Sequence, residues 1–181
     1  MKTVWRSLLA LSVLASSGLA ADLTQNLTTP FQLALVTPAQ LFNEHASTAG
    51  LRVNLIYGRN ANVGGFDVGL VNHASNNAVG IQYGLVNIVG GEMSGIQASA
   101  FNKVHGNAYG WQSGSICNSV DGDAVGVQTS YVLNKVSGSF KGIQVGFVNI
   151  TDELHGLQIG FLNFNRASDY FSFFPFINLH F

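Results

Sequence analysis

Charge is scarce in this chain. Lys, Arg, Asp and Glu together make up 9% of its 181 residues, against about 25% in an ordinary soluble domain. The 8 basic and 9 acidic side chains nearly cancel, so the electrostatic footprint of a nucleic-acid binder is missing. Proline is represented by 3 residues, which argues against a Pro-rich disordered chain. Cys117 is the only cysteine, and no internal disulfide is possible. Beyond residue 21 no apolar run approaches the length of a membrane-spanning helix, so any entry into a bilayer by the rest of the chain would have to be made with strands. Glycine, by contrast, is abundant at 21 residues, and hydrophobic residues reach 47%.

The first twenty residues read as an address. Lys2 and Arg6 form a short positive region, Leu8 to Ala15 an apolar stretch, and Ser16-Ser17-Gly18-Leu19-Ala20 a small-residue cleavage region. This is the pattern of a secretory signal peptide over residues 1–20, with Gly18 and Ala20 at the −3 and −1 positions. Removing it predicts a single repeat-built β domain over residues 21–181, with six basic against nine acidic residues.

That domain is repetitive. Gly65-Phe-Asp-Val-Gly-Leu-Val-Asn72 recurs from Gly80, Gly142 and Gly156, with looser copies from Gly50, Gly95, Gly110 and Gly126. The starts are spaced 15, 15, 15, 15, 16, 16 and 14 residues apart. Each copy alternates with period two, as a strand with two unlike faces does. Ile143, Val145 and Phe147 lie on one face, and Gly142, Gln144, Gly146 and Val148 on the other. Short turn signals separate the copies: Gly90-Gly91, His105-Gly106, Asp121-Gly122 and Ser137-Gly138. Such dipeptides suit tight hairpins. The spacings of 16 and 14 then require an odd loop or a bulge, with Gly122 and Gly138 as its expected sites.

Read as hairpins, the eight repeats, a strand over residues 31–41 and a terminal strand over 171–181 predict an antiparallel up-and-down β-barrel of about ten strands. An even number of strands about ten residues long suits a bilayer crossing. A chain ending on aromatic Phe181 looks like the assembly signal of bacterial outer-membrane barrels, so the expected partners are outer-membrane lipid and the barrel-assembly machinery. The Gly/Gln face would line a lumen carrying Arg52, Asp67, Gln97, Gln112, Gln128, Gln144 and Gln158, with Gln97 lying over Gly84 of its neighbour. Arg52 and Asp67 share that face and are expected to pair. The alternative is a parallel β-solenoid with one coil per repeat. It would stack Asn72, Asn87, Asn102, Asn118, Asn134, Asn149 and Asn163 into an amide ladder and bind a partner through its sheet face.

The repeats, preceded by Gly50-Leu-Arg-Val-Asn-Leu-Ile-Tyr-Gly58 and closed by Phe174-Pro-Phe-Ile-Asn178, resemble a family of bacterial surface-repeat proteins. These are exported proteins of uncharacterised function from Gram-negative bacteria and spirochaetes. The likeness covers roughly residues 30 to 181 and implies an envelope location, with no catalytic residue to carry over. The middle copies depart from the pattern, since Ser99 and Ser130 replace the second glycine and Gln112-Ser113-Gly114-Ser115-Ile116 is more polar.

No catalytic, cofactor or metal site is expected. His45, His73, His105, His155 and His180 are scattered, without the spacing of a metal set. Asp121-Gly122-Asp123 lacks the remaining oxygen ligands of a calcium loop. Gly64-Gly65 and Gly90-Gly91 lead into no helix that could bind phosphate, and no serine sits in a nucleophile elbow. The function expected is structural or passive and pore-like, without catalysis.

Overall fold

The computed structural model describes residues 27–168 and 171–180, so the signal-peptide reading and Phe181 lie outside the described residues. Eleven strands form one sheet in which sequence neighbours are also spatial neighbours, except that the first strand lies between the second and the third. They are β1 (Thr28–Val36), β2 (Ala39–Gln40), β3 (Ser47–Asn60), β4 (Val63–Ala74), β5 (Ala78–Val89), β6 (Met93–Val104), β7 (Ala108–Val120), β8 (Ala124–Ser130), β9 (Leu133–Val145), β10 (Val148–Asn165) and β11 (Phe173–His180). From β1 and β3 through to β10 the repeats pair in parallel. Only the ends are antiparallel, β2 on β1 and β11 on β10.

This overturns the antiparallel barrel. Gly65 pairs with Gly80, Asp67 with Gln82 and Asn72 with Asn87, one repeat onto the next. The fold is a parallel β-solenoid. The barrel and solenoid readings predict the same alternation within a strand, and they differ only in the direction of return. Here the polar dipeptides do not reverse the chain into an antiparallel neighbour. They close a coil, and they stack on one another: the Gly91 amide donates to the Asn76 carbonyl and the Gly106 amide to that of Gly91, at 2.6 and 3.0 Å.

A twelve-residue strand that returns to its starting register one repeat later must bend within its length. One bend falls at the first motif glycine. Gly65, Gly80, Gly95, Gly110, Gly126, Gly142 and Gly156 all have φ between +95° and +149°, a region essentially closed to side-chain-bearing residues. A Cβ at any of them would collide with the carbonyl oxygen of the matching glycine in the preceding coil. The second bend follows the second motif glycine, where pairing runs from Gly69↔Gly84 directly to Val71↔Val86. The third is the polar turn.

The irregular spacings have a different origin from the one expected at Gly122 and Gly138. Register passes from Ser99↔Gly114 to Phe101↔Cys117, and from Gly114↔Ser130 to Cys117↔Leu133. The extra residue of each long repeat therefore sits at the second bend, in Ser115-Ile116 and Tyr131-Val132. The short repeat loses its residue at the turn, where Asp152 alone stands opposite Ser137-Gly138.

Inside each coil, apolar residues, mostly Ala and Val, flank the turn. Val63 and Ala74, Ala78 and Val89, Met93 and Val104, and their counterparts up to Phe140 and Leu154 form one buried cluster. The rest of the interior is polar. Replacing Gly110 by Ala is expected to destabilise the fold by more than about 3 kcal/mol, from forbidden backbone and overlap combined. At Gly64 a Cβ would meet its nearest atoms at ordinary contact distances of 3.7 and 3.8 Å, so Gly64→Ala should lie within about 0.5 kcal/mol of the parent. Urea melts followed by circular dichroism read both.

Candidate functional site

The seven residues expected to face a lumen line the closed interior of the coils instead, 0 to 2% exposed. They form one hydrogen-bonded column. Each glutamine Nε2 donates to the Oε1 of the coil before it: Gln158 to Gln144, Gln144 to Gln128, Gln128 to Gln112, Gln112 to Gln97 and Gln97 to Gln82, at 2.7 to 2.8 Å. Gln82, absent from the expected set, then donates to the Asp67 carboxylate at 2.8 Å. Asn178 of β11 closes the other end by donating to Gln158 at 2.8 Å.

The expected pairing of Arg52 with Asp67 is present and bidentate, at 2.7 and 2.6 Å, with both side chains fully buried. A buried ion pair holds its charges only if its remaining donors and acceptors are met. The Asp67 carboxylate also accepts from Asn54 at 3.1 Å. The Arg52 Nη1 donates to the Asn60 side chain and to the His73 carbonyl at 3.3 and 2.9 Å. The carboxylate therefore sits at the end of the glutamine column toward which every amide NH2 points.

The asparagine ladder is also present, and its donors run the other way. Asn72 Nδ2 donates to Asn87 Oδ1, Asn87 to Asn102, Asn102 to Asn118, Asn118 to Asn134, Asn134 to Asn149 and Asn149 to Asn163, at 2.8 to 2.9 Å. Opposed polarity in adjacent columns keeps their dipoles from adding. The second motif glycine serves this ladder, not the glutamines. Asn72 reaches the Tyr83 carbonyl at 2.9 Å, and a Cβ at Gly84 would lie 2.7 Å from the Asn72 Nδ2. The glutamine side chains, expected over Gly84 and its counterparts, lie over one another. Ser99, one of the two replacements, bonds Asn102 Oδ1 at 2.8 Å. Ser130 leaves its buried hydroxyl unpartnered.

With the amides turned inward, the apolar motif positions face out. Phe66, Ile81, Ile96, Trp111, Val127 and Ile143 form one stacked column, each 36 to 58% exposed. Val68, Tyr83, Val145 and Ile159 belong to a second column, and Leu70, Leu85, Phe147 and Phe161 to a third at the bend; all are exposed. At about 4.8 Å per coil, eight coils give a flank about 35 Å long and about 15 Å wide. No Asp, Glu, Lys, Arg or His occupies these columns. Ala98, Ala100, Ser113, Ser115 and Thr129 interrupt them midway. A hollow of about 320 Å³ lies there, lined by Ser113, Ser115, Thr129, Ser130, Tyr131 and Val145. Trp111 Nε1 reaches the Thr129 hydroxyl beside it at 3.4 Å. The single substitutions that make this hollow are visible in the sequence; its depth is not, because it depends on the coils being stacked in register.

The ionic residues gather at and near the turn side. Arg166 pairs with Asp152 at 3.1 Å, His155 with Glu153 at 3.2 Å and Arg59 with Glu44 at 3.7 Å, while Asp121 bonds both Lys103 and His105. The hydrogen bond from Lys103, joined by that from His105, holds the Asp121 carboxyl below its ordinary range against the opposing effect of burial. Burial pushes the Cys117 thiol up. Burial first, then the Arg59 and Arg52 charges, pull His73 below the usual imidazole value of 6.5. Its Nδ1 lies 2.8 Å from the Tyr57 hydroxyl. Among the described residues no three His, Cys, Asp or Glu side chains gather in a metal-holding group. No family model, curated protein or solved structure matches the chain.

Asp67→Asn should cost about 3 kcal/mol or more, because it leaves the Arg52 charge buried without a counter-ion. Gln128→Leu should cost about 2 kcal/mol, since it strands the Gln144 donor and the Gln112 acceptor; chemical denaturation measures both. For His73 the folded value lies below the unfolded one, so between them the unfolded chain binds more protons and stability rises with pH. Its contribution is complete above about pH 6.5 and is lost as pH falls through the folded value. Thermal melts across this range should show the slope, and His73→Gln should flatten it.

Proposed function

We propose that this protein is exported to the cell envelope and serves there as a non-catalytic β-solenoid scaffold that docks on a partner through its apolar flank. The observation that carries this reading is the flank itself. The largest apolar patch on a soluble protein is often functional, and here apolar residues recur along the flank, polar only midway, with no Asp, Glu, Lys, Arg or His among them. The polar side chains of the motif support a structural role for the interior. Their amides are bonded to one another along the axis, which leaves the outward positions free to vary with function. The signal-peptide pattern at residues 1–20 supports export, and the likeness to envelope surface-repeat proteins points the same way.

The test is a paired change at the third column, Leu70→Glu with Leu85→Glu. Both side chains are about half exposed, at 51 and 53%, so the fold should survive with stability within about 1 kcal/mol of the parent. Association with the envelope fraction should be lost. A folded variant that still sediments with the envelope like the parent would refute the docking role.

A further inference from the structure

Resting on that docking role, we propose that the flank's occupant is the surface of a lipid bilayer, on which the solenoid lies with its axis parallel to the membrane plane. Four observations lead there. First, polarity is divided by side: the described ion pairs exposed to solvent cluster at and near the turn side, and the flank columns carry no Asp, Glu, Lys, Arg or His, with Lys141 and His155 at their edge. An interfacial amphipathic helix has the same division. Second, the backbone behind the flank is already paired, coil to coil, in a parallel register that is nearly unbroken. Entering an apolar medium therefore leaves few N–H or C=O groups without partners, which is the condition lipid imposes on any backbone it meets.

Third, Tyr83, Trp111 and Tyr131 project from this side at 62, 48 and 82% exposure. Aromatic side chains with one polar atom are those that favour the boundary between lipid and water. Fourth, the hollow at Ser113 and Thr129, about 320 Å³, lies midway along the flank. In a twofold pair of solenoids packed in full overlap, with the axis through the middle of the flank, the two hollows would face each other and leave a void where rigid proteins require close packing. Fluid acyl chains and headgroups fill such a hollow. The exported chain carries six basic against nine acidic side chains, so attraction to anionic lipid is not the driving force and the binding should tolerate salt.

The experiment uses the protein as recovered from export, its N-terminus read by mass spectrometry, in a Trp5→Phe background that leaves Trp111 as the sole tryptophan. Flotation with phosphatidylcholine vesicles should carry the protein upward equally at low and high salt. Brominated phosphatidylcholine should quench Trp111 emission. Tyr83→Lys with Leu85→Lys should weaken partition at least about tenfold, and Asn76→Lys at the turn should leave it unchanged. Circular dichroism verifies that each variant is folded, and quenching in the unsubstituted flank gives an answer even if one is not. Protein that stays below the vesicles with Trp111 unquenched overturns the lipid proposal. If that protein also sediments as a dimer that the double lysine change dissociates, the flank is an interface between copies and the docking role stands. If it is monomeric and its envelope association is untouched by the lysines, the docking role falls as well.

Discussion

The structure depends on in-register stacking of identical polar side chains inside a narrow coil. An amide side chain both donates, through its NH2, and accepts, through its carbonyl oxygen. A column of amides therefore satisfies itself at any length, provided each coil places its residue directly above the last. That condition fixes the register: a slip by one residue would strand every Gln and Asn at once. The costs of misalignment accumulate over all the coils together, and the polar interior specifies one alignment more sharply than an apolar one would.

The glycines follow from the same constraint. A coil this short must bend sharply, and the bend has to pass within hydrogen-bonding distance of the next coil's backbone. At the first glycine no side chain fits between one carbonyl and the next, and the dihedral angle is closed to other residues. At the second, the asparagine amide of the adjacent coil needs the space. Where the second glycine is serine the ladder continues, through an added bond at Ser99 and an unpartnered hydroxyl at Ser130. The column also needs an end. Asp67 provides it, accepting the last amide donor while Arg52 neutralises the carboxylate.

Turning the amides inward has a consequence for the outside. A conventional core consumes the large apolar residues of a sequence, whereas this interior accommodates mostly amides, valines and alanines. Phe66, Trp111, Phe147 and Phe161 therefore stay on the surface. The molecule's apolar surface is a direct product of its polar interior, and the docking role proposed for the flank rests on that inversion.

Much was legible from the residues alone. The repeat, its phase and the two unlike faces follow from alternation at period two, and the sharing of one face by Arg52, Asp67 and the glutamines follows from counting. What alternation cannot carry is direction. A strand that reverses through Asp121-Gly122 and one that coils through it present the same inward and outward residues, because side-chain parity depends on position along the strand and not on how the chain returns. Hairpin chemistry in the turn dipeptides pointed to the barrel. The decision came from tertiary contacts, where only parallel return brings Gln onto Gln and Asn onto Asn and lets the bare glycines stack. The place of the extra residues in the long repeats, at Ser115-Ile116 and Tyr131-Val132, was likewise settled by register between coils, since spacing along one chain reports how many residues a repeat holds but not which bend holds them.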